Sequence, residues 1–347
     1  MRSLRNLLPE AALLLAGIAV FFVVPDDLGL ATRVVIGALF ALSLDLVLGY
    51  AGIVTLGHAA MFGVGAYAAG VFAVRVWGEP ISGLLVGAAA GAAIAWISGK
   101  LVLRSHGLTS VMITLAVAQV LLEVASKWTS VTGGDDGLSG IAVQPLLGLF
   151  EFDFMGRTGY LYALVVLVLC FGLLRRVVAS PFGLACVGIR EDRGRMAALG
   201  YDVPRQMSIA YAMGGAFAGV AGALSAQITQ VVGLSSLGFA HSADVLVMLV
   251  LGGTGRLWGA LAGTVVFMLV HHAAANVDPF RWMLMIGVML VVVVMALPGG
   301  LSGAAVRLWS VLLGRGRGTP ATPTSPKPRA GSSDAAGEPP RLGEVTP

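Results

Sequence analysis

The sequence predicts an all-α polytopic membrane protein with about ten transmembrane helices. Of its 347 residues, 57% are hydrophobic and 12% are charged, about half the charge of a typical soluble domain. Its mean hydropathy is +0.89, and its apolar residues fall in runs near the ~20 residues that cross a hydrocarbon core of ~30 Å. A backbone in lipid must satisfy its own hydrogen bonds, so each run is predicted to be a helix.

Ten apolar runs follow one another along the chain. They are residues 9–25, 32–48, 58–77, 82–99, 108–126, 159–175, 207–228, 242–254, 257–276 and 282–298. The first is the weakest because Pro9 and Glu10 shorten it, and Arg2 and Arg5 ahead of it are also typical of a signal peptide. No small-x-small cleavage site follows it cleanly, which favours an uncleaved span.

The charges in the loops predict the orientation of the chain. Ten spans place both termini on one side, together with Lys100, Arg256 and the loop Arg175–Arg205, which has six arginines against three acids. The opposite side receives mostly acidic residues, among them Asp135 and Asp136. Because basic residues concentrate in cytoplasmic loops, the sequence predicts that the N- and C-termini are both inside.

The remaining composition narrows the class of function. Seven of the fifteen prolines lie after residue 313, so residues 309–347 are predicted to be a disordered, Pro-rich cytosolic tail. Cys170 and Cys186 lie in a span and in a loop, which does not suggest a disulfide framework. No G-x-x-x-x-G-K-[ST] loop, nucleophile–base pair or metal-ligand spacing stands out. We therefore expect neither an enzyme nor a nucleic-acid-binding protein.

Three ladders of small residues predict close helix packing. Spacing by four keeps the members of a ladder on one helix face, and small residues let backbones approach closely in lipid. The ladders are Gly83, Gly87 and Gly91; Gly215, Gly219 and Ala223; and Gly255, Gly259 and Gly263.

Two Gly-rich segments, Leu48–Gly70 and Leu251–Gly263, interrupt apolar runs without a polar loop. Such breaks are tolerated in a membrane where they are buried in protein or line a wet cavity. Tight turns at the cytosolic surface are the alternative. Residues near the first break, and ionisable or polar residues at membrane depth, are candidates for the translocation pathway. They are Asp45, Gly49, Gly52, Gly57, His58, Gln119, Glu123 and Asp244.

Two of these candidates have a second interpretation. The carboxylate of Asp45 is placed either to cap free N–H groups of the broken segment or to line the pathway. Glu123 lies near the outer end of its span. There it either lines an exit vestibule or extends its side chain along the apolar surface to reach water.

The loop between residues 176 and 206 contains a predicted helix, Ile189–Leu199. Glu191 and Asp192 lie in its first turn, where acids are favoured, and Glu191 is spaced to pair with Arg195. Gly200 fits the C′ position that ends a helix. Eleven residues give a rod of ~16 Å that serves either to dock a cytosolic partner or simply to lie at the membrane surface.

The loop sequence IREDRGRMAALG and the following GGAFAGVAGAL resemble the coupling-helix loop of bacterial ABC importer permeases, closest to the branched-chain amino-acid permease family. Gly49–Gly70, Ile113–Ile141 and Val245–Gly263 are similar to further segments of that family, in the same order. The element Thr132–Leu138 points to the longer, M-type subunit. The resemblance runs from about residue 30 to residue 300, and the first span and the Pro-rich tail lie outside it. We expect residues 1–308 to form the transmembrane permease domain, and the resemblance implies a cytosolic coupling loop at 176–206.

The resemblance also implies partners. Two permease subunits, here a heterodimer, form a pore in the bacterial inner membrane, and two ATPase subunits hold ATP-Mg, so this chain needs no cofactor. A periplasmic binding protein delivers branched-chain or similar small apolar amino acids. The expected ATPase contacts are Arg190, Glu191, Asp192, Ala197, Ala198 and Gly200. The expected docking surface for the binding protein, unless it is a plain solvent loop, is Thr132, Gly133, Gly134, Asp135 and Asp136.

Other cargoes and other energy sources stay open at this stage. Related permeases import urea, short amides, aromatic acids or sugars, and the sequence of a pore discriminates poorly between them. An ion-driven secondary transporter would use Asp45, Glu123 and Asp244 as ion sites and would need no cytosolic ATPase. A passive channel would need no energy source.

Overall fold

The computed structural model describes residues 2–23, 27–105, 107–145, 156–277, 287, 300 and 301. Its longer helices are α1 (Arg2–Val23), α2 (Leu28–Leu44), α3 (His58–Arg75), α4 (Pro80–Val102), α5 (Leu108–Lys127), α7 (Arg157–Val178), α8 (Pro181–Glu191), α10 (Val203–Thr229), α11 (Phe239–Gly252) and α12 (Leu257–Val277). The shorter ones are α6 (Thr129–Thr132), α9 (Arg193–Ala198), a π-helical segment Asp45–Tyr50 and 3-10 turns at Gly134–Asp136 and Leu234–Leu237. This part of the chain contains no strand, only an isolated bridge between Leu138 and Val232.

Six of the described helices are long and apolar enough to cross a membrane. They are Leu28–Tyr50, Pro80–Val102, Leu108–Lys127, Arg157–Val178, Val203–Thr229 and Leu257–Asn276. Glu10–Phe22 and Phe239–Gly252 are shorter apolar helices. The chain is therefore a multi-pass, all-α membrane protein, while the count of ten spans and the orientation stay predictions. The predicted span 282–298, apart from residue 287, and the tail from residue 309 lie outside the described residues.

The bundle is built around α2 with the π-helical segment that continues it, and around α10. These helices are mostly buried, whereas α5 lies mostly at the surface. The first two glycine ladders bring α4 against α10. A Cβ on Gly219 would collide with the carbonyl oxygen of Gly87, and a Cβ on Gly91 would collide with that of Gly215. The close packing that these ladders predict is confirmed.

The third ladder is only partly correct. Gly259 and Gly263 do pack α12 against α11, next to the carbonyl oxygens of Gly252 and Met248. Gly255, however, precedes the helix and has a φ of +75°, which no helical residue adopts. It belongs to the turn between α11 and α12.

The first Gly-rich break folds back beside the helix that it interrupts. After the π-helical segment, residues 51–57 are irregular and mostly buried, and Ile53 N donates to the carbonyl of Val47 at 2.9 Å. His58, at the start of α3, lies 2.9 Å from Ser43 Oγ on α2. The chain therefore reverses direction within the bundle.

Side chains from neighbouring helices satisfy the backbone of this reversal. Leu56 N donates to Thr114 Oγ1 of α5 at 3.3 Å, and Ala59 N donates to Ser242 Oγ of α11 at 2.9 Å. Broken backbone at membrane depth requires such partners. The segment is thus buried in protein, as one of the two sequence interpretations requires.

Candidate functional site

The predicted rod Ile189–Leu199 is wrong as a single helix. The backbone is helical up to Glu191, becomes extended at Asp192 (φ −155°, ψ 104°) and resumes as α9 at Arg193. Asp192 Oδ1 accepts a hydrogen bond from Arg195 N at 3.0 Å. Aspartate is among the best N-caps, and Gly194 lowers helix propensity just beyond it, so a second helix start is favoured over continuation.

This break changes the predicted ion pair. Arg195 Nε lies 4.0 Å from Asp192 Oδ2, and both side chains are largely exposed. The described structure shows no pair between Arg195 and Glu191. An exposed pair of this length contributes little to stability.

One face of α8 is firmly seated on the bundle. Ser180 caps its N-terminus by accepting from Gly183 N, and Pro181 occupies the first turn, where its missing N–H costs nothing. Cys186 and Ile189 are 2% and 1% exposed. Burial raises the pKa of the Cys186 thiol, opposed by a hydrogen bond from the Gln206 side chain. The α8 helix is therefore held in place by its buried face.

The C-terminal end of α9 and the residues that follow it are exposed. None of the residues of α9 is buried, and Leu199 and Tyr201 beyond it are 68% and 48% exposed. We name the exposed residues Ala197, Ala198, Leu199, Gly200 and Tyr201 the tip patch. Gly200 has a φ of +89° and its N–H donates to Ala197 O at 3.0 Å, as the predicted C′ position requires.

Arg190 does not simply project into solvent. The side chain is exposed in part, but its Nη1 donates a short hydrogen bond to the carbonyl oxygen of Gly49. Its Cγ lies 2.5 Å from where a Cβ on Gly52 would be. Of the predicted ATPase contacts, Arg190 is therefore directed toward the first break, whereas Glu191, Asp192 and the three in the tip patch are exposed.

Asp45 and His58 are both fully buried. Asp45 Oδ1 accepts a hydrogen bond from Gly255 N at 2.7 Å. Asp45 therefore caps the α11–α12 turn, whereas the sequence predicted a cap on the segment that directly follows Asp45. The His58 ring lies 5.5 Å from that of Phe40, nearly parallel to it. Gly57 is buried against the backbone of Thr114.

The other pathway candidates lie on the surface of the subunit. Gln119, Glu123 and Asp244 are exposed on α5 and α11, two helices that contact each other. Glu123 lies 3.7 Å from Lys127 in an exposed pair. The structure thus separates the pathway candidates into a buried set around the first break and an exposed set.

The predicted docking loop is an ordered turn. Thr132 Oγ1 donates to Ala125 O at 2.6 Å, and Gly133 and Gly134 have positive φ. Asp135 accepts from Ser126 Oγ at 2.8 Å, while both it and Asp136 are exposed. The turn therefore presents two carboxylates on a fixed backbone.

Four polar contributors to these sites were not identified from the sequence: the Gly255 amide and the hydroxyls of Ser43, Thr114 and Ser242. The only signal for the three hydroxyls was their position as short polar side chains within apolar runs. The amide carried no signal, because every residue except proline has one.

Comparison with known proteins gives the family. Residues 28–294 match the family described as the permease component of branched-chain amino acid transport systems. The high-affinity branched-chain amino acid transport system permease protein LivM of Escherichia coli (strain K12) is 29% identical over 318 residues, covering 84% of this chain and 73% of LivM. LivM of Salmonella typhimurium is 30% identical over 308 residues, covering 81% and 71%.

A second permease protein of high-affinity branched-chain amino acid transport, LivH of Salmonella typhimurium, is also similar. It is 23% identical over 281 residues, which cover 77% of this chain and 91% of LivH. No solved structure matches the chain significantly. The chain therefore belongs to the permease components of branched-chain amino acid transport systems and is of the longer, M type.

Proposed function

We propose that this chain is one permease subunit of an ATP-driven importer of branched-chain or similar small apolar amino acids in a bacterial inner membrane. Two different permease proteins of high-affinity branched-chain amino acid transport systems, LivM and LivH, are both similar to it. A heterodimer with a second permease, two ATPase subunits that hold ATP-Mg and a periplasmic binding protein complete the machine.

The exposed tip patch, which lies beyond the seated α8 helix, supports the proposed ATPase contact. Leu199 and Tyr201 leave apolar surface exposed beyond the bundle, which is typical of an interaction site. The α8 helix behind it is fixed by its buried face. Partner movement changes a conformation only through contacts that differ between states, and the exposed tip patch provides a surface for such contacts.

We assign the pathway to the exposed faces of α5 and α11. Polar side chains such as Gln119, Glu123 and Asp244 are costly against lipid and normally face protein or a wet cavity. The second permease would cover them. The Thr132–Asp136 turn is assigned to the binding protein, whose basic residues the Asp135 and Asp136 carboxylates would attract.

Reconstitution tests this function directly. The chain is placed in vesicles with the second permease, ATPase and binding protein encoded beside it, and labelled leucine uptake is measured with and without ATP. We expect uptake that depends on both ATP and the binding protein, and that unlabelled valine and isoleucine reduce.

Three results would contradict the proposal. Uptake driven by a proton gradient without ATP would indicate a secondary transporter, and flux without either would indicate a channel. Competition by urea, aromatic acids or sugars, with none by valine, would contradict the proposed substrate. The chain would then be a subunit of an ATP-driven importer for another class of compound.

A further inference from the structure

Three separate parts of the chain meet around two polar side chains. Asp45, at the start of the π-helical segment, accepts from the Gly255 amide in the α11–α12 turn. Arg190, one residue from the end of α8, donates to the Gly49 carbonyl four residues after Asp45. Each side chain thus holds a backbone group of one of the two Gly-rich breaks.

The backbones at this point approach one another without side chains between them. A Cβ on Gly49 would collide with the Asp45 carboxylate and would lie 2.5 Å from Gly255 N. A Cβ on Gly52 would lie 2.5 Å from Arg190 Cγ. Contacts as tight as these transmit displacement, because close-packed groups cannot move past one another freely.

The Asp45 carboxylate is destabilising where it lies. Asp45 is fully buried, and its Oδ2 has no hydrogen-bond partner among the described residues. A buried carboxylate with a free oxygen is destabilising, and ionisable residues at membrane depth are generally kept for function. Packing alone would be served better by an apolar residue.

We propose that Arg190 and Asp45 are positioning residues that join α8 to both breaks, so that the π-helical segment and the α11–α12 turn move together with α8. Arg190 then transmits the movement and is not an ATPase contact. The proposed link rests on the proposed function in one respect, because it assumes that α8 is moved by an ATPase.

Paired variants of the assembled transporter test this link. Arg190→Gln removes the guanidinium that donates to the Gly49 carbonyl and leaves a side chain two bonds shorter. Arg205→Gln makes the same exchange at an exposed arginine in the same loop. Asp45→Leu removes the acceptor for the Gly255 amide, whereas Asp45→Asn keeps an oxygen there. Leucine uptake, ATP hydrolysis and retention of the ATPase on purification are measured for each variant.

We expect Arg190→Gln and Asp45→Leu to retain the ATPase and to lower leucine imported per ATP hydrolysed by at least about tenfold. Arg205→Gln should stay within about twofold of the unsubstituted transporter, and Asp45→Asn should recover most of the coupling that Asp45→Leu loses. Unchanged uptake per ATP in Arg190→Gln would overturn the proposal. So would loss of the ATPase in that variant alone, since Arg190 would then be a docking contact.

Amide hydrogen exchange on the unsubstituted complex decides the question if a variant fails to insert. Residues 49–53 and 253–257 should change protection together when ATP is added. A change in one segment only would overturn the link. Failure of the proposed function gives a different result, because the unsubstituted complex would then import no leucine with ATP.

Discussion

Gly200 shows how one backbone conformation shapes the exposed end of the loop 176–206. Its φ is +89°, and a Cβ at this position would meet nothing within 4 Å. A substitution here would therefore act through backbone strain and not through a clash. Holding a non-glycine residue in a rarely populated region costs about 1–3 kcal/mol, most for a β-branched side chain.

Replacing Gly200 by valine should uncouple transport from ATP use. The strain would rearrange the tip patch, and we expect leucine uptake to fall about tenfold while ATP hydrolysis continues. Gly200→Asn should retain more activity because asparagine tolerates positive φ. Gly194→Ala is the matched control, since its Cβ would meet only Asp192 Oδ1 at 3.4 Å. Equal uptake by all three variants would remove Gly200 from the coupling site.

Sequence spacing predicted the stop at Gly200 but not the break at Asp192. An aspartate in a first helical turn and an aspartate that caps a new helix have the same sequence context, and only the extended backbone separates them. The direction of Arg190 was also beyond prediction. Its partner lies 141 residues away along the chain, and local spacing holds no information about such a contact.

The α4–α10 contact shows the same principle between helices. Gly87 lies against the Gly219 carbonyl and the Ala223 side chain, so the two backbones leave no room for a larger residue. In lipid this close packing takes the place of the hydrophobic effect as the force that joins helices.

Gly87→Val should weaken the bundle. Overpacking a tight contact costs about 1–3 kcal/mol, so we expect a lower melting temperature of the purified subunit in detergent. Ala89→Val adds the same kind of bulk to an exposed position of the same helix and should change the melting temperature little. Equal shifts in both variants would indicate that the ladder is not a packing interface.

Apolar runs predicted the uninterrupted helices well. Residues 108–126 were predicted and Leu108–Lys127 is observed, and residues 257–276 were predicted and Leu257–Val277 is observed. The π-helical segment and the reversal after it were not predictable in detail. Thr114 and Ser242 make that reversal possible, and both are distant in sequence.

The distribution of charges among the loops of the whole chain predicts that the tip patch and the Thr132–Asp136 turn lie on opposite sides of the membrane. Labelling of single cysteines in intact spheroplasts measures this. Asp136→Cys should react with a membrane-impermeant maleimide from outside, and Ala198→Cys should react only after lysis. The reverse pattern would contradict the predicted orientation.

The native Cys186 should contribute little background to this labelling. Burial raises the pKa of its thiol, so a smaller fraction is thiolate at neutral pH than for an exposed cysteine, and the thiolate is the reactive form. Its rate should rise with pH more than that of Ala198→Cys until both thiols are ionised. Rapid labelling of Cys186 at pH 7 would show that α8 is not seated as described.

The π-helical segment Asp45–Tyr50 has a consequence for insertions and deletions. Removing one residue between Asp45 and Gly49 would shift every later residue by one position, which would move the Gly49 carbonyl and Gly52 out of register with Arg190 and take Gly49 out of its close contact with Gly255. Point changes that keep the count alter one contact, whereas a change in length alters all of them at once. In directed evolution of this permease, the stretch should accept some amino-acid exchanges but no gap.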